Sequence, residues 1–295
     1  MKNISIKSSI GLLILAAAII SLSGCAVKKA SWGSLENGMI MKYAVQADRN
    51  LKYQTTYSFE QDMEVMGQKI QITAKGGQDL LMKPLESKGN DLEYLVTIED
   101  MASKINTPRG VMMANLDKVI GQSFNYTVSP LGAELEYSGA EAITYDFGMG
   151  QLKSIASDVQ AFFPDLPEHP VKPGDSWKSY DNITENTGSG KVTMAFTNIN
   201  TFEKLEKYNG YDCMKINVVY TSTLEGEGSQ NGADLFTTGT LKGTSTWYYA
   251  YKKGILVSYE TDGNGETITE VKGPQEMTLP ATRKYNTKSE LVAAQ

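Results

Sequence analysis

From about residue 43 onward the chain alternates polar and apolar residues in run after run, with turn signals between the runs. A period of two puts successive side chains on opposite faces of an extended strand, so this pattern calls for sheets with one buried and one wetted face. Lys52–Phe59, Leu92–Ile98, Lys191–Thr197, Thr201–Lys207, Asp212–Thr221 and Gly239–Tyr251 read this way, and so does Met63–Thr73, which carries Gly67 at its middle. Asn209-Gly210 lies between two such runs and is the strongest hairpin signal, because both residue types tolerate positive φ. Helical spacing is scarce. Met149, Leu152, Ile155, Ala156, Val159 and Phe163 recur at helical intervals before Pro164, and Val111–Ile120 ends at Gly121.

The expected fold is therefore mainly β, within the α+β class. Curved antiparallel sheets form two meander-like halves with one or two helices packed on a face, in a half-barrel-like layout. The halves span 43–163 and 177–282, joined by a proline-rich connector at 164–176 and followed by a tail at 283–295. Gly121, Tyr126, Gly132, Leu135 and Tyr137 have the same spacing as Gly243, Tyr248, Gly254, Val257 and Tyr259. Two copies of one meander unit would give that match, and so would a chance likeness between two glycine-turned hairpins.

The N-terminus has the parts of an export signal. Lys2 and Lys7 precede an apolar run from Ile10 to Ile20, and small residues lead to Leu22-Ser23-Gly24-Cys25. The run is short for a membrane-spanning helix, which needs about 20 apolar residues. These residues resemble the lipobox of bacterial lipoprotein signal peptides. The resemblance implies cleavage of residues 1–24, lipid attachment to Cys25 (thioether-linked diacylglycerol with a further acyl chain such as palmitate) and a membrane partner held through that anchor. An uncut N-terminal membrane helix is the alternative. Ala26 stands where an Asp would resemble an inner-membrane retention signal. That favours the outer membrane in a Gram-negative cell; in a Gram-positive cell the anchor faces outward from the cell membrane. Residues 25–42 read as a flexible tether.

Loss of 24 residues and two lysines from a chain of 295 with net charge −6 leaves 271 residues at −8. That length can bury a substantial core. The acidic balance argues against nucleic acid as a partner, since no basic stripe is present to neutralise phosphates. With Cys25 committed to lipid, Cys213 has no disulfide partner and reads as a buried, inert thiol. His169, the one histidine, lies in the connector without a companion nucleophile, so no catalytic residue is assigned. No metal site or cofactor is expected. Asp262-Gly263-Asn264-Gly265-Glu266 begins like a calcium loop but has Thr267 at its sixth position and Gly273 at its twelfth, and reads as a hairpin turn. Gly188, Gly190, Gly226, Gly228 and Gly232 read as flexible turns.

Pro170-Val171-Lys172-Pro173-Gly174-Asp175-Ser176-Trp177, near the middle of the chain, resembles a segment shared by an uncharacterised family of bacterial envelope lipoproteins. The resemblance implies no reaction. Physically, Pro173-Gly174 makes a turn, Asp175 accepts backbone N–H groups and Trp177 anchors a strand start. The layout is also similar to the half-barrel lipid carriers of the bacterial envelope. The expectation is a non-catalytic, membrane-anchored envelope lipoprotein that binds a hydrophobic or lipid-like small molecule. Met112, Met113, Met149, Trp247 and Tyr249 are its candidate lining, because Met and strand aromatics suit variable apolar ligands. The alternative is an interaction or scaffold lipoprotein that binds a protein or glycan.

Overall fold

The alternation produces very long strands. The computed structural model describes residues 32–86, 89–147, 152–230 and 232–294; Cys25 with its lipobox, and Met149, lie outside them. A small hairpin pairs β1 (Gly33–Ser34) with β2 (Gly38–Met39). Then follow β3 (Leu51–Val65), β4 (Gln68–Pro84), β5 (Leu92–Thr107), β6 (Gly110–Met113), β7 (Ser123–Val128) and β8 (Glu134–Glu136). After the one-turn helix α1 (Ser138–Glu141) come β9 (Thr144–Asp146), β10 (Leu152–Ser154) and a 3-10 turn at Ile155–Asp158. The remainder is a meander of β11 (Ser176–Thr187), β12 (Gly190–Tyr208), β13 (Tyr211–Gln230), β14 (Ala233–Ala250), β15 (Ile255–Lys272) and β16 (Met277–Ala294).

Strands β3 to β16 form one antiparallel sheet in the order β8-β7-β5-β4-β3-β16-β15-β14-β13-β12-β11-β10-β9, with β6 on β5. It curls into a half-barrel. The Asn115 N–H, just past β6, donates to the Asp146 carbonyl of β9 at 3.0 Å, linking the β5–β6 side of the sheet to its other end.

Period-two burial separates the faces. Along β13, Met214, Ile216, Val218, Tyr220, Ser222 and Leu224 are buried, while Asn217, Val219, Thr221 and Thr223 are exposed. Register carries the inward face across the sheet in rows, such as Ile216–Trp247–Tyr259–Ser289–Thr55. At the end of the half-barrel nearer the Asn209-Gly210 turn, this face is packed solid. Tyr43, Tyr53, Phe162 and Phe163 meet edge to face there, with Phe163 stacked on Tyr126. Each such side chain contributes about 1.5–3 kcal/mol on burial. Gly33–Gln295 is one compact unit that contains this core.

Several expectations are corrected. Residues 33–42 are not a loose tether. Met39 and Met41 are buried, and Met39 exchanges both backbone hydrogen bonds with Val171. Residues 283–294 are not a tail, since they lie in β16, hydrogen-bonded to β15 on one side and β3 on the other. The two expected halves are therefore one continuous sheet.

Neither long helix forms. Val111–Ile120 gives β6 and a turn, and the described part of the 149–163 pattern, from Leu152 on, gives β10 and the 3-10 turn. Ile155, Val159, Phe162 and Phe163 are buried because this segment enters the concave side of the sheet, not because they share a helix face. The internal repeat does not hold. Gly121 sits in a turn with φ of 85°, whereas Gly243 lies mid-strand opposite Gly263. Asp262–Glu266 is the middle of β15, and Gly226 and Gly228 lie within β13, so none of these is a turn. Met63–Thr73 is broken into β3 and β4 by a hairpin at Met66-Gly67, both at positive φ. Asn209 and Gly210 form the expected turn, at φ of 47° and 82°.

Candidate functional site: the concave interior

The segment from Lys153 to Asp165 is held inside the curl by its polar groups. The Gln160 side chain acts as a short strand against the edge of β11, where its Oε1 accepts from the Thr184 N–H at 2.7 Å and its Nε2 donates to the Thr184 carbonyl at 3.2 Å. The Trp177 indole N–H donates to the Asp165 carbonyl at 3.0 Å, and its ring stands edge-on to Trp247 at 6.1 Å. Asp175 Oδ2 accepts from the Lys172 N–H at 2.8 Å. The proline-flanked octapeptide thus positions this segment.

Beneath the segment lies a cavity of about 420 Å³. Its walls mix aromatic rings with paired polar groups. Thr55 donates to Ser289 at 2.9 Å, Tyr57 to Ser103 at 2.8 Å and Asn200 to Ser179 at 3.1 Å. Lys153 lies 3.5 Å from Asp158 and 3.4 Å from Glu185. Burial works against the charge on Lys153, but these two carboxylates outweigh it and hold the ammonium well above its usual range. Burial raises Asp158, and Lys153 offsets this only in part. The Trp247 indole Nε1 is buried without a hydrogen-bond partner among the described residues.

A crevice opens beside the cavity, bordered by Glu134, Asp165 and Asp181. Burial, with help from Asp181 and Asp165, pushes the Glu134 carboxyl up to about 7 against two opposing backbone hydrogen bonds. Burial first and Asp181 second push Asp165 up to about 6.

Toward the other end of the strands the interior widens into an open trough of about 1520 Å³. Phe59, Phe196 and Tyr285 border both spaces and form a sill between them. Buried Leu224 and Leu241 face inward beyond it. The strand alternation places Arg283 inward too, whereas Lys75, Lys242 and Lys284, which also border the trough, are exposed on the outward face. The Arg283 guanidinium sits 6.0 Å from the Phe59 ring centroid, and its Nε is buried without a partner among the described residues.

The residues singled out from the sequence separate here. Trp247 lines the cavity. Tyr249 is fully buried, and its hydroxyl is committed to the Lys42 backbone, where it accepts from the N–H at 2.9 Å and donates to the carbonyl. Met112 and Met113 are on β6, with Met113 65% exposed, and line neither space. Met149 and Cys25 lie outside the described residues. Sequence reasoning missed Lys153, Asp181, Tyr220, Arg283 and Tyr285. The inward parity of Arg283 and Tyr285 was readable only if 277–294 was recognised as a strand.

His169 is exposed in the connector. Cys213 is buried, and desolvation pushes its thiol up to about 12. Among the described residues no cluster of His, Cys, Asp or Glu is placed to hold a metal, and no helix is long and apolar enough to cross a membrane.

No family model and no curated protein matches the chain. Among solved structures it is similar to Pseudomonas aeruginosa OccK2 (OpdF), at 5% identity and a TM-score of 0.22, covering 83% of this chain and 98% of that one. It is also similar to an outer membrane channel from Pseudomonas putida F1, at 9% identity and a TM-score of 0.18, covering 83% and 97%. For Acinetobacter baumannii OccAB2 the values are 8%, 0.19, 82% and 98%. Likenesses this slight carry no argument about function.

Proposed function

We propose that this chain is a non-catalytic, membrane-anchored lipoprotein of the cell envelope that holds a hydrophobic or lipid-like molecule inside its half-barrel. One observation supports this most. The inward face is packed solid at one end of the strands, yet at the other it leaves a trough of about 1520 Å³ that opens to solvent and has Leu241, Phe59 and Phe196 in its wall. A sheet that served only as a scaffold would gain stability by closing that space. The lipobox reading supplies the location: the outer membrane in a Gram-negative cell, or the outer face of the cell membrane in a Gram-positive one. Stable anchoring by several acyl chains on Cys25 would hold the trough beside a bilayer.

Native mass spectrometry of protein purified from bacterial cells tests the carrier reading. A lipid-sized adduct that organic extraction removes is expected; a protein that always appears at its bare mass contradicts it. The anchor has a separate test. Cys25→Ala should abolish incorporation of radiolabelled palmitate, and labelling that persists refutes the attachment site.

The scaffold reading draws on the outer face. Ile199 and Val219 are paired across β12 and β13 and are 46% and 58% exposed. Two residues make a smaller apolar patch than a partner surface normally shows, so the carrier reading is preferred.

A further inference from the structure

We infer that Arg283 receives the acidic headgroup of the bound molecule, which makes the ligand an anionic amphiphile: an alkyl chain ending in a carboxylate or a phosphate ester. The inference rests on the carrier reading and adds to it the ligand's charge and the residue that reads it.

Arg283 sits in the inward row Leu241–Gly265–Arg283–Gln61, so its immediate neighbours supply no counter-charge. It makes no ion pair among the described residues, and its Nε is buried without a hydrogen-bond partner. An always-charged guanidinium with an unmet buried donor is costly unless something pairs with it. Burial does weaken its hold on the proton, and the charge of Glu185 works in the opposite direction. Glu185, however, is engaged by Lys153 at 3.4 Å and does not reach Arg283 to form an ion pair.

The Phe59 ring flanks the guanidinium on one side. On another, Gly265 contributes no side chain, and a Cβ there would collide with Leu241. Arg283 borders the trough, and because its Nε is buried, the guanidinium tip supplies the donors a ligand there would meet. A planar fork of N–H groups matches a carboxylate or phosphate in two parallel bonds. Leu241, Phe59 and Phe196 in the trough wall are apolar surface, which suits a chain and not a small free anion.

The test titrates Gly33–Gln295, the compact unit with its own core, with dodecanoate, dodecanol and acetate, followed by calorimetry. Dodecanoate is expected to bind about tenfold or more tightly than dodecanol, the difference that a charge-assisted hydrogen bond makes. Acetate should give no measurable binding. Arg283→Gln should bring dodecanoate down to the affinity of dodecanol, while Arg283→Lys keeps part of the discrimination. Thermal melts check that both variants fold, and the acid-to-alcohol ratio of the unmodified protein stands without them. Equal affinity for acid and alcohol overturns the headgroup assignment and leaves the carrier reading intact. Acetate binding as tightly as dodecanoate overturns it in favour of a free-anion site. Failure to bind either twelve-carbon chain contradicts the carrier reading and this inference with it.

Discussion

The hydroxyls of Tyr220 and Tyr285 lie 2.6 Å apart, although two whole strands separate them in the sheet. The inward row at that level is Tyr220–Gly243–Gly263–Tyr285. Both tyrosines lean over the two glycines and meet above them, and Tyr220 also donates to the Asp262 carbonyl at 3.1 Å. The glycines are there because the rings need their space. A Cβ on Gly263 would run into the Tyr220 hydroxyl and the Tyr285 ring. Gly263→Ala should therefore destabilise the protein by about 1–3 kcal/mol, the usual range for overpacking, as read by urea unfolding. Pairing it with Tyr220→Phe and Tyr285→Phe does not remove the ring clash and should restore little. A neutral Gly263→Ala would mean that the tyrosine arch is not formed.

Gln160 presents a testable edge cap. Its amide satisfies both backbone groups of Thr184, on the stretch of β11 that β10 leaves uncovered. Gln160→Ala should cost about 1–2 kcal/mol for two lost hydrogen bonds. It should also speed hydrogen exchange at the Thr184 amide more than at neighbouring amides. Unchanged exchange at Thr184 would show that the inserted segment is held by its apolar side chains alone.

The acidic crevice predicts a pH slope. Glu134 titrates near 7 and Asp165 near 6, against ordinary values of 4.5 and 3.8. A carboxyl whose pKa is raised by folding binds its proton more tightly in the native state. The stability it contributes is full below the unfolded value and is lost as pH rises through the folded one. The melting temperature should therefore fall between about pH 4 and pH 7, and Glu134→Gln should flatten that fall. A slope unaltered by Glu134→Gln would place the proton uptake elsewhere.

What the sequence disclosed and what it concealed follow from one cause. Alternation is a local property, so β5, β12, β13 and β14 were legible, and Asn209-Gly210 marked its turn without ambiguity. Burial inside a curl is not local. Ile155, Val159 and Phe163 imitate a helix stripe because the segment that carries them is buried on the concave side of the sheet, where apolar side chains are covered without sharing a helix face. Met39 looked like a tether residue because its backbone partner, Val171, lies about 130 residues away in sequence. Arg283 carried no signal of its own. Its role appears only once β16 is seen between β15 and β3, which fixes the side it faces. Trp247 was singled out as an aromatic on a strand, and the cavity it lines was not predictable from that strand alone.

The claim that the concave side of the half-barrel holds the ligand is tested most directly by mapping where a chain-bearing photoprobe attaches. A twelve-carbon fatty acid with a diazirine at mid-chain would be bound to Gly33–Gln295, irradiated, and its attachment points read by peptide mass spectrometry. Adducts are predicted on the trough residues Leu241, Phe59 and Phe196, with excess dodecanoate suppressing them. Adducts confined to the outward residues Ile199, Val219 and Phe236, or labelling that dodecanoate does not suppress, would contradict the account.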